Sequence, residues 1–182
     1  MNFTRLEIPE VVLLEPKVYS DDRGFFFESF NHDNFEKIIE QKINFVQDNQ
    51  SCSHKGVLRG LHYQLNPKAQ GKLVRIISGE VFDVAVDIRK NSPTFGKWVG
   101  AFLSGINKKQ LWIPAGFAHG FLSLADSSEM LYKTTDYYAP ELERSIIWSD
   151  SEIGIKWPSI GDIKIADKDA AGAAMNDAEV YE

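Results

Sequence analysis

The chain has 182 residues with 26 acidic and 20 basic side chains, for a net charge of −6; this length suits one domain of the ~100–200 residues usual for a single core, and the sign of the charge excludes affinity won by neutralising nucleic-acid phosphates or an anionic membrane surface. With 43% hydrophobic and 12% aromatic residues it can bury a full core, which excludes a disordered chain. The lone Cys52 forms neither an internal disulfide nor a thiolate zinc site, and neither residues 1–10 nor any later window approaches the ~18 apolar residues of a membrane span, so the expectation is a soluble cytoplasmic protein without nucleic-acid or membrane partners.

From the N-terminus, the first notable run is Arg23-Gly24-Phe25-Phe26-Phe27-Glu28. Strand alternation sets Phe25 and Phe27 against Phe26 and Glu28, so both faces carry bulky groups, one for the chain's own sheet and one for a neighbouring subunit. One segment has helical periodicity: Phe35, Ile38, Ile39 and Ile43 recur at three- and four-residue steps behind Asn31 and Asp33 as N-caps, which predicts a helix over 33–42. From Gln47 to Trp148 the pattern changes to short strands between turn residues. In 59–64, two-residue alternation puts Gly60, His62 and Gln64 on one face and Arg59, Leu61 and Tyr63 on the other. Lys72 opens a strand over 72–77. After a turn at Ser78-Gly79-Glu80, residues 81–88 alternate almost strictly, with Val81, Asp83, Ala85 and Asp87 opposite Phe82, Val84, Val86 and Ile88, as expected where one sheet face meets an apolar core. Pro114 and Gly116 force a turn just before His119 at the start of another strand. Tyr132 and Lys133 stand on a strand over 130–135, with Tyr137 and Tyr138 at its end. After Pro158 the apolar residues thin out, and 170–182 is expected to fray or form a short helix. Strands at roughly ten-residue spacing with no interleaved helices imply an antiparallel sandwich or jelly roll, one domain spanning 1–182.

Of the four histidines, His32 and His54 sit in polar stretches, whereas His62 and His119 lie among polar groups on otherwise apolar strands and become candidates for chemistry. The Pro-x-Gly-x-x-His pattern of 114–119 resembles the second motif of the cupin superfamily, double-stranded β-helix barrels that often bind a metal. A metal site needs three or four suitable ligands. The position two residues beyond His62 is Gln64, and no acid lies between it and Lys72, so no metal or other cofactor is expected and both imidazoles are left for acid–base work. A net-acidic chain that gathers Arg59 and Lys72 on apolar strands, with Arg23 earlier, points to a phosphorylated carbonyl compound, because arginine suits bidentate recognition of phosphate.

Five strings together, Asp22-Arg23-Gly24-Phe25-Phe26-Phe27-Glu28, Gln47-Asp48-Asn49-Gln50-Ser51, Arg59-Gly60-Leu61-His62-Tyr63-Gln64, Pro114-Ala115-Gly116-Phe117-Ala118-His119-Gly120-Phe121 and Tyr137-Tyr138-Ala139-Pro140-Glu141, resemble the dTDP-4-dehydrorhamnose 3,5-epimerases over about residues 3–170. The resemblance implies an all-β, metal-free cupin jelly roll with a few short helices, a homodimer that exchanges N-terminal strands, and a dTDP-sugar substrate in dTDP-L-rhamnose biosynthesis. It makes His62 the base that removes protons next to the C4 ketone, Asp169 the acid that holds it, Tyr132 the acid that returns protons from the opposite face, and Lys72 the group that stabilises the enolate. It assigns the diphosphate to Arg23 and Arg59, and the sugar nucleotide's other polar groups to Glu28, Gln47, Asp48, Asn49, His119, Glu143 and Lys168, with Tyr138 stacking on thymine. Because these residues set the proton chemistry and not the number of centres inverted, a 3- or 5-epimerase for another deoxysugar stands as the alternative; outside the enzymes, a non-catalytic sugar-nucleotide or metal-binding cupin does.

Overall fold

The computed structural model describes all 182 residues. Its thirteen strands are β1 (Asn2–Arg5), β2 (Val12–Glu15), β3 (Tyr19–Asp21), β4 (Gly24–Phe26), β5 (Gln47–Ser53), β6 (Leu58–Gln64), β7 (Lys72–Ser78), β8 (Glu80–Asp87), β9 (Trp98–Ser104), β10 (Gln110–Ile113), β11 (Phe117–Ser123), β12 (Ser128–Thr134) and β13 (Glu143–Ser145); the helices are α1 (His32–Ile39) and the single-turn α2 (Asp167–Ala170), with short 3-10 turns at Pro140–Leu142 and Met175–Asp177. A six-stranded sheet in the order β1-β2-β10-β7-β12-β5 faces a five-stranded sheet in the order β13-β6-β11-β8-β9, while β3 and β4 form a separate hairpin. All strand pairs are antiparallel, giving the expected jelly roll. Val74, Ile76, Leu111 and Met130 from one sheet meet Val81, Ala85, Val99 and Phe121 from the other across the barrel interior.

The helix starts where the sequence places it. Asn31 Oδ1 accepts the Asn34 amide at 3.1 Å, a cap worth about 1 kcal/mol, and Asp33 falls in the first turn instead of capping. It ends at Ile39, earlier than predicted, because Glu40 adopts φ 60° and Glu36 turns back to accept from Lys42 Nζ and the Ile43 amide. Phe35 and Ile39 then pack with Val12, Leu14, Leu73 and Trp112 on the outer face of the six-stranded sheet.

Two features share one cause: the C-terminal segment docks. Of the two outcomes expected for 170–182, the structure shows the short helix, a 3-10 turn at Met175–Asp177, and not fraying. The segment forms backbone bridges from Lys164 to Val57, Ala173 to Ile146 and Tyr181 to Arg89. The Asp150 carboxylate accepts the amides of Glu152, Ile153 and Met175, Tyr63 Oη donates to Glu179 O at 2.7 Å, and Tyr181 Oη donates to Gln64 O. Its Ile153 and Met175 cover Leu61, Tyr63, Phe82, Val84, Val86 and Ile88 on the outer face of the five-stranded sheet. Strand β8 therefore buries both faces from Val81 to Asp87, where alternation anticipated one.

A second correction concerns β6. The β6–β11 ladder pairs His62 with His119 but Arg59 with Phe121, so β6 carries one extra residue between them. Gly60 makes this possible with φ +122°, and a Cβ there would lie 2.6 Å from the Gly120 Cα. The bulge places Arg59 on the same face as His62, not the opposite one.

Candidate active site

The five-stranded sheet supplies two imidazoles to the cavity, each held by a carboxylate. His62 Nε2 lies 2.7 Å from Asp169 Oδ1, and the other carboxylate oxygen accepts the Gly60 amide at 3.2 Å. That amide is free for the purpose because the bulge removes it from the ladder. Asp169 is buried and arrives on α2 from the docked tail. Burial holds the His62 imidazole below its usual pKa, against the Asp169 hydrogen bond and with the help of the Lys72 and Lys168 charges. Neighbouring His119 is buried and its Nε2 lies 2.9 and 3.0 Å from the two oxygens of Asp83.

The six-stranded sheet faces them with Lys72 and Tyr132. Lys72 Nζ lies 3.5 Å from the His62 carbonyl oxygen, and desolvation pushes its pKa down to about 8 despite the Asp83 and Glu143 charges. Tyr132 packs against the interior cluster. Burial raises its pKa, the Glu143 carboxylate adds to the effect, and Arg59 opposes it. Arg59 itself is steadied by Ser53 Oγ at 3.0 Å.

At the rim, Gln47, Asn49, Tyr138, Glu143 and Lys168 form one chain of contacts. Gln47 donates to Asn49 Oδ1 and accepts the Tyr138 amide, Tyr138 Oη donates to Glu143 Oε2 at 3.0 Å, and Lys168 Nζ stands 3.8 Å from Glu143 Oε1. Three predicted residues are not brought here. The Asp48 carboxylate pairs with Lys133 Nζ at 3.0 Å, on the side of β5 and β12 away from Tyr132. Arg23 sits at the tip of the β3–β4 hairpin, highly exposed and bonded to Asp21, and Glu28 accepts from Asn31 Nδ2; neither touches the cavity of its own chain.

Gln64, where a metal-binding cupin would place a ligand, spends its amide on the carbonyl oxygens of Lys68 and Tyr137 and the Ala139 amide, anchoring the rim loop. No three His, Cys, Asp or Glu side chains gather as a ligand set. The residue that sequence reasoning missed is Asp83. Its signal was present as a carboxylate in the middle of an apolar strand, which needs a buried partner.

This pocket can remove a proton with a neutral imidazole on one wall, hold a developing negative charge with an ammonium, and deliver a proton from the facing wall. Residues 5–177 match the family model described as dTDP-4-dehydrorhamnose 3,5-epimerase. A dTDP-4-dehydrorhamnose 3,5-epimerase of Shigella flexneri is 59% identical over 181 residues, covering 100% of this chain and 99% of the relative. The crystal structure of a dTDP-6-deoxy-D-glucose-3,5-epimerase of Legionella pneumophila in complex with dTDP-4-keto-L-rhamnose superposes with a TM-score of 0.95 at 52% identity, covering 98% of this chain and 94% of that one. A 3'-monoepimerase of Streptomyces bikiniensis in complex with dTDP-quinovose superposes at 0.89 with 33% identity, over 94% and 86% of the two chains.

Proposed function

We propose that this chain, which belongs to the dTDP-4-dehydrorhamnose 3,5-epimerase family, inverts C3 and C5 of dTDP-4-dehydro-6-deoxy-D-glucose to give dTDP-4-dehydro-β-L-rhamnose, with His62 and Tyr132 working from opposite walls. The observation that carries this reading is the placement of a carboxylate-held imidazole and a buried phenol on facing sheets. With Nε2 committed to Asp169, His62 Nδ1 takes the proton from the carbon next to the C4 ketone. The electron pair of the broken C–H bond moves to the ketone oxygen, giving an enolate that the Lys72 ammonium stabilises. Asp169 then faces an imidazolium whose charge it offsets. Tyr132 Oη gives its proton to the other face of the same carbon, which inverts it, and exchange with solvent resets both groups. A raised pKa suits Tyr132, since the phenol keeps its proton until a strongly basic carbon demands it. Arg59 holds the diphosphate and the rim residues the remainder of the nucleotide.

The test is incubation with dTDP-4-dehydro-6-deoxy-D-glucose in deuterated water. The expected result is deuterium at both C3 and C5 with the L-rhamno product. Exchange at a single carbon supports the second reading, a 3- or 5-monoepimerase, which the similarity to the Streptomyces 3'-monoepimerase favours; no exchange overturns both.

Arg23 and Glu28 have no role in their own chain's cavity, and the hairpin that carries Arg23 leaves Phe25 58% and Phe26 72% exposed. We assign this hairpin to the partner subunit's site in a homodimer. Mixing Arg23→Ala with His62→Ala protein should restore activity through heterodimers that contain one intact site. Demonstrated heterodimers without activity, from parents that are each inactive, would return Arg23 to its own chain. No helix is long and apolar enough to cross a membrane, and we place the enzyme in the cytoplasm, where dTDP-sugars for surface polysaccharide are made.

A further inference from the structure

Asp83 is fully buried, and the only hydrogen bonds to its carboxylate come from His119 Nε2. An ionised carboxylate accepts and does not donate, so a neutral His119 bonded to it carries its proton on Nε2 and keeps Nδ1 bare. Nδ1 has no partner in the protein, yet no fully buried polar side-chain atom lacks one, so this nitrogen opens onto the barrel cavity. There it stands beside the base, since His119 and His62 are direct partners across β11 and β6. A carboxylate at position 83 is costly for the fold, because Val81, Ala85 and Phe121 surround its strand position with apolar side chains and burying a charge is unfavourable unless it is fully paired. One N–H shared between its two oxygens is the only hydrogen bond offsetting that cost, with the Lys72 charge acting on the carboxylate besides. It is, however, an effective clamp on the orientation of an imidazole.

We propose that Asp83 is a positioning residue for the reaction, fixing His119 in the Nε2–H tautomer so that Nδ1 accepts a hydrogen bond from a hydroxyl of the substrate's sugar ring. The inference rests on the epimerase reading. Both imidazoles of the five-stranded sheet are then clamped at Nε2 by a carboxylate and present Nδ1 to the sugar. His62 takes a proton from carbon, and His119 holds a hydroxyl so that the carbon stays in line.

Nitrogen-15 spectra of histidine-labelled protein, with His119 assigned by the signal lost in His119→Asn, read the tautomer directly in the wild type. The expected pattern is a protonated Nε2 and a bare Nδ1 on neutral His119. In Asp83→Asn the amide can donate as well as accept, so both tautomers should be populated and kcat/KM should fall on the order of 10²-fold, as a misplaced substrate costs. In a His119→Asn background, Asp83→Asn should cause no further loss, because Asp83 acts through His119. A wild-type His119 protonated on Nδ1, an unaffected Asp83→Asn enzyme, or losses that multiply in the double variant would each overturn the proposal. The tautomer measurement needs no variant of Asp83, so it decides even if Asp83→Asn does not fold. If the epimerase reading itself is at fault, wild-type protein leaves the sugar nucleotide unexchanged whatever the tautomer.

Discussion

The two sheets enclosing the cavity each present two reactive groups, and they support them in different ways. On the five-stranded sheet, His62 and His119 are each hydrogen-bonded to a buried carboxylate. On the six-stranded sheet, Lys72 and Tyr132 have no carboxylate bonded to them, and their pKa values are set first by desolvation. The difference matches what the proposed mechanism asks of each side. A base has to be aimed and becomes a cation that needs an anion beside it. A stabilising ammonium or a proton-donating phenol already tied to a carboxylate would spend its donor before the substrate arrived.

Removing the aimed base should produce the largest effect. His62→Asn is expected to lower kcat by about 10²–10⁴-fold and abolish deuterium incorporation at both carbons, while dTDP binding measured by calorimetry persists. Near wild-type incorporation would leave the comparison without its first member. On the facing sheet, Tyr132→Phe removes one oxygen and keeps the packing. Inversion should fall by roughly 10²-fold while deuterium still washes in with retained configuration; inversion at the wild-type rate would reduce Tyr132 to a core residue.

The pH profile distinguishes the sheets by sign. His62 must be neutral, so activity falls as pH drops through its lowered pKa, below the usual 6.5. Lys72 must be charged, so activity falls as pH rises through about 8, about tenfold per unit beyond the limb. Lys72→Arg, with a charge that persists, should move only the alkaline limb upward; an unmoved limb would take Lys72 out of the profile. Folding stability follows the opposite logic over the same range. Lys72 has a pKa depressed from 10.5 to about 8, so between those values the unfolded chain binds a proton the folded one has released, and this group makes stability rise with pH.

The smallest effect is expected on the covered outer face. Met175→Ala opens a cavity under the docked tail and should destabilise the fold by about 2 kcal/mol, seen as a lower urea midpoint at unchanged slope. An unshifted midpoint would mean the tail is not held by this contact.

Local pattern carried the barrel. Alternation in 81–88, the turn before His119 and the periodicity of Phe35, Ile38 and Ile39 each mark an element because the signal lies within one strand or turn of helix. The candidate site was legible where two motif strings hold His62 and His119 and where Lys72 and Tyr132 stand on apolar strands. Three features escaped because their causes are not local. Arg59 lies on the face of His62 only because two glycines from different strands meet at Gly60 and Gly120. Asp48 faces away because β5 alternates in register with β12 and so delivers Asn49 inward in its place. The tail has no periodicity, since Ile153 and Met175 dock one by one onto a surface made elsewhere, and the same docking buries the second face of β8.

Asp169 follows His62 by 107 residues and enters on the last helix to be made. In a chain emerging from the ribosome β6 and β11 are made well before that carboxylate, as N-terminal structure forms first during synthesis. In such a nascent chain the imidazole is present with nothing to orient it. On the proposed mechanism competence thus arrives late, when α2 seats against Gly60, and a chain terminated before Asp169 would lack both the aim of its base and part of the cover of its five-stranded sheet.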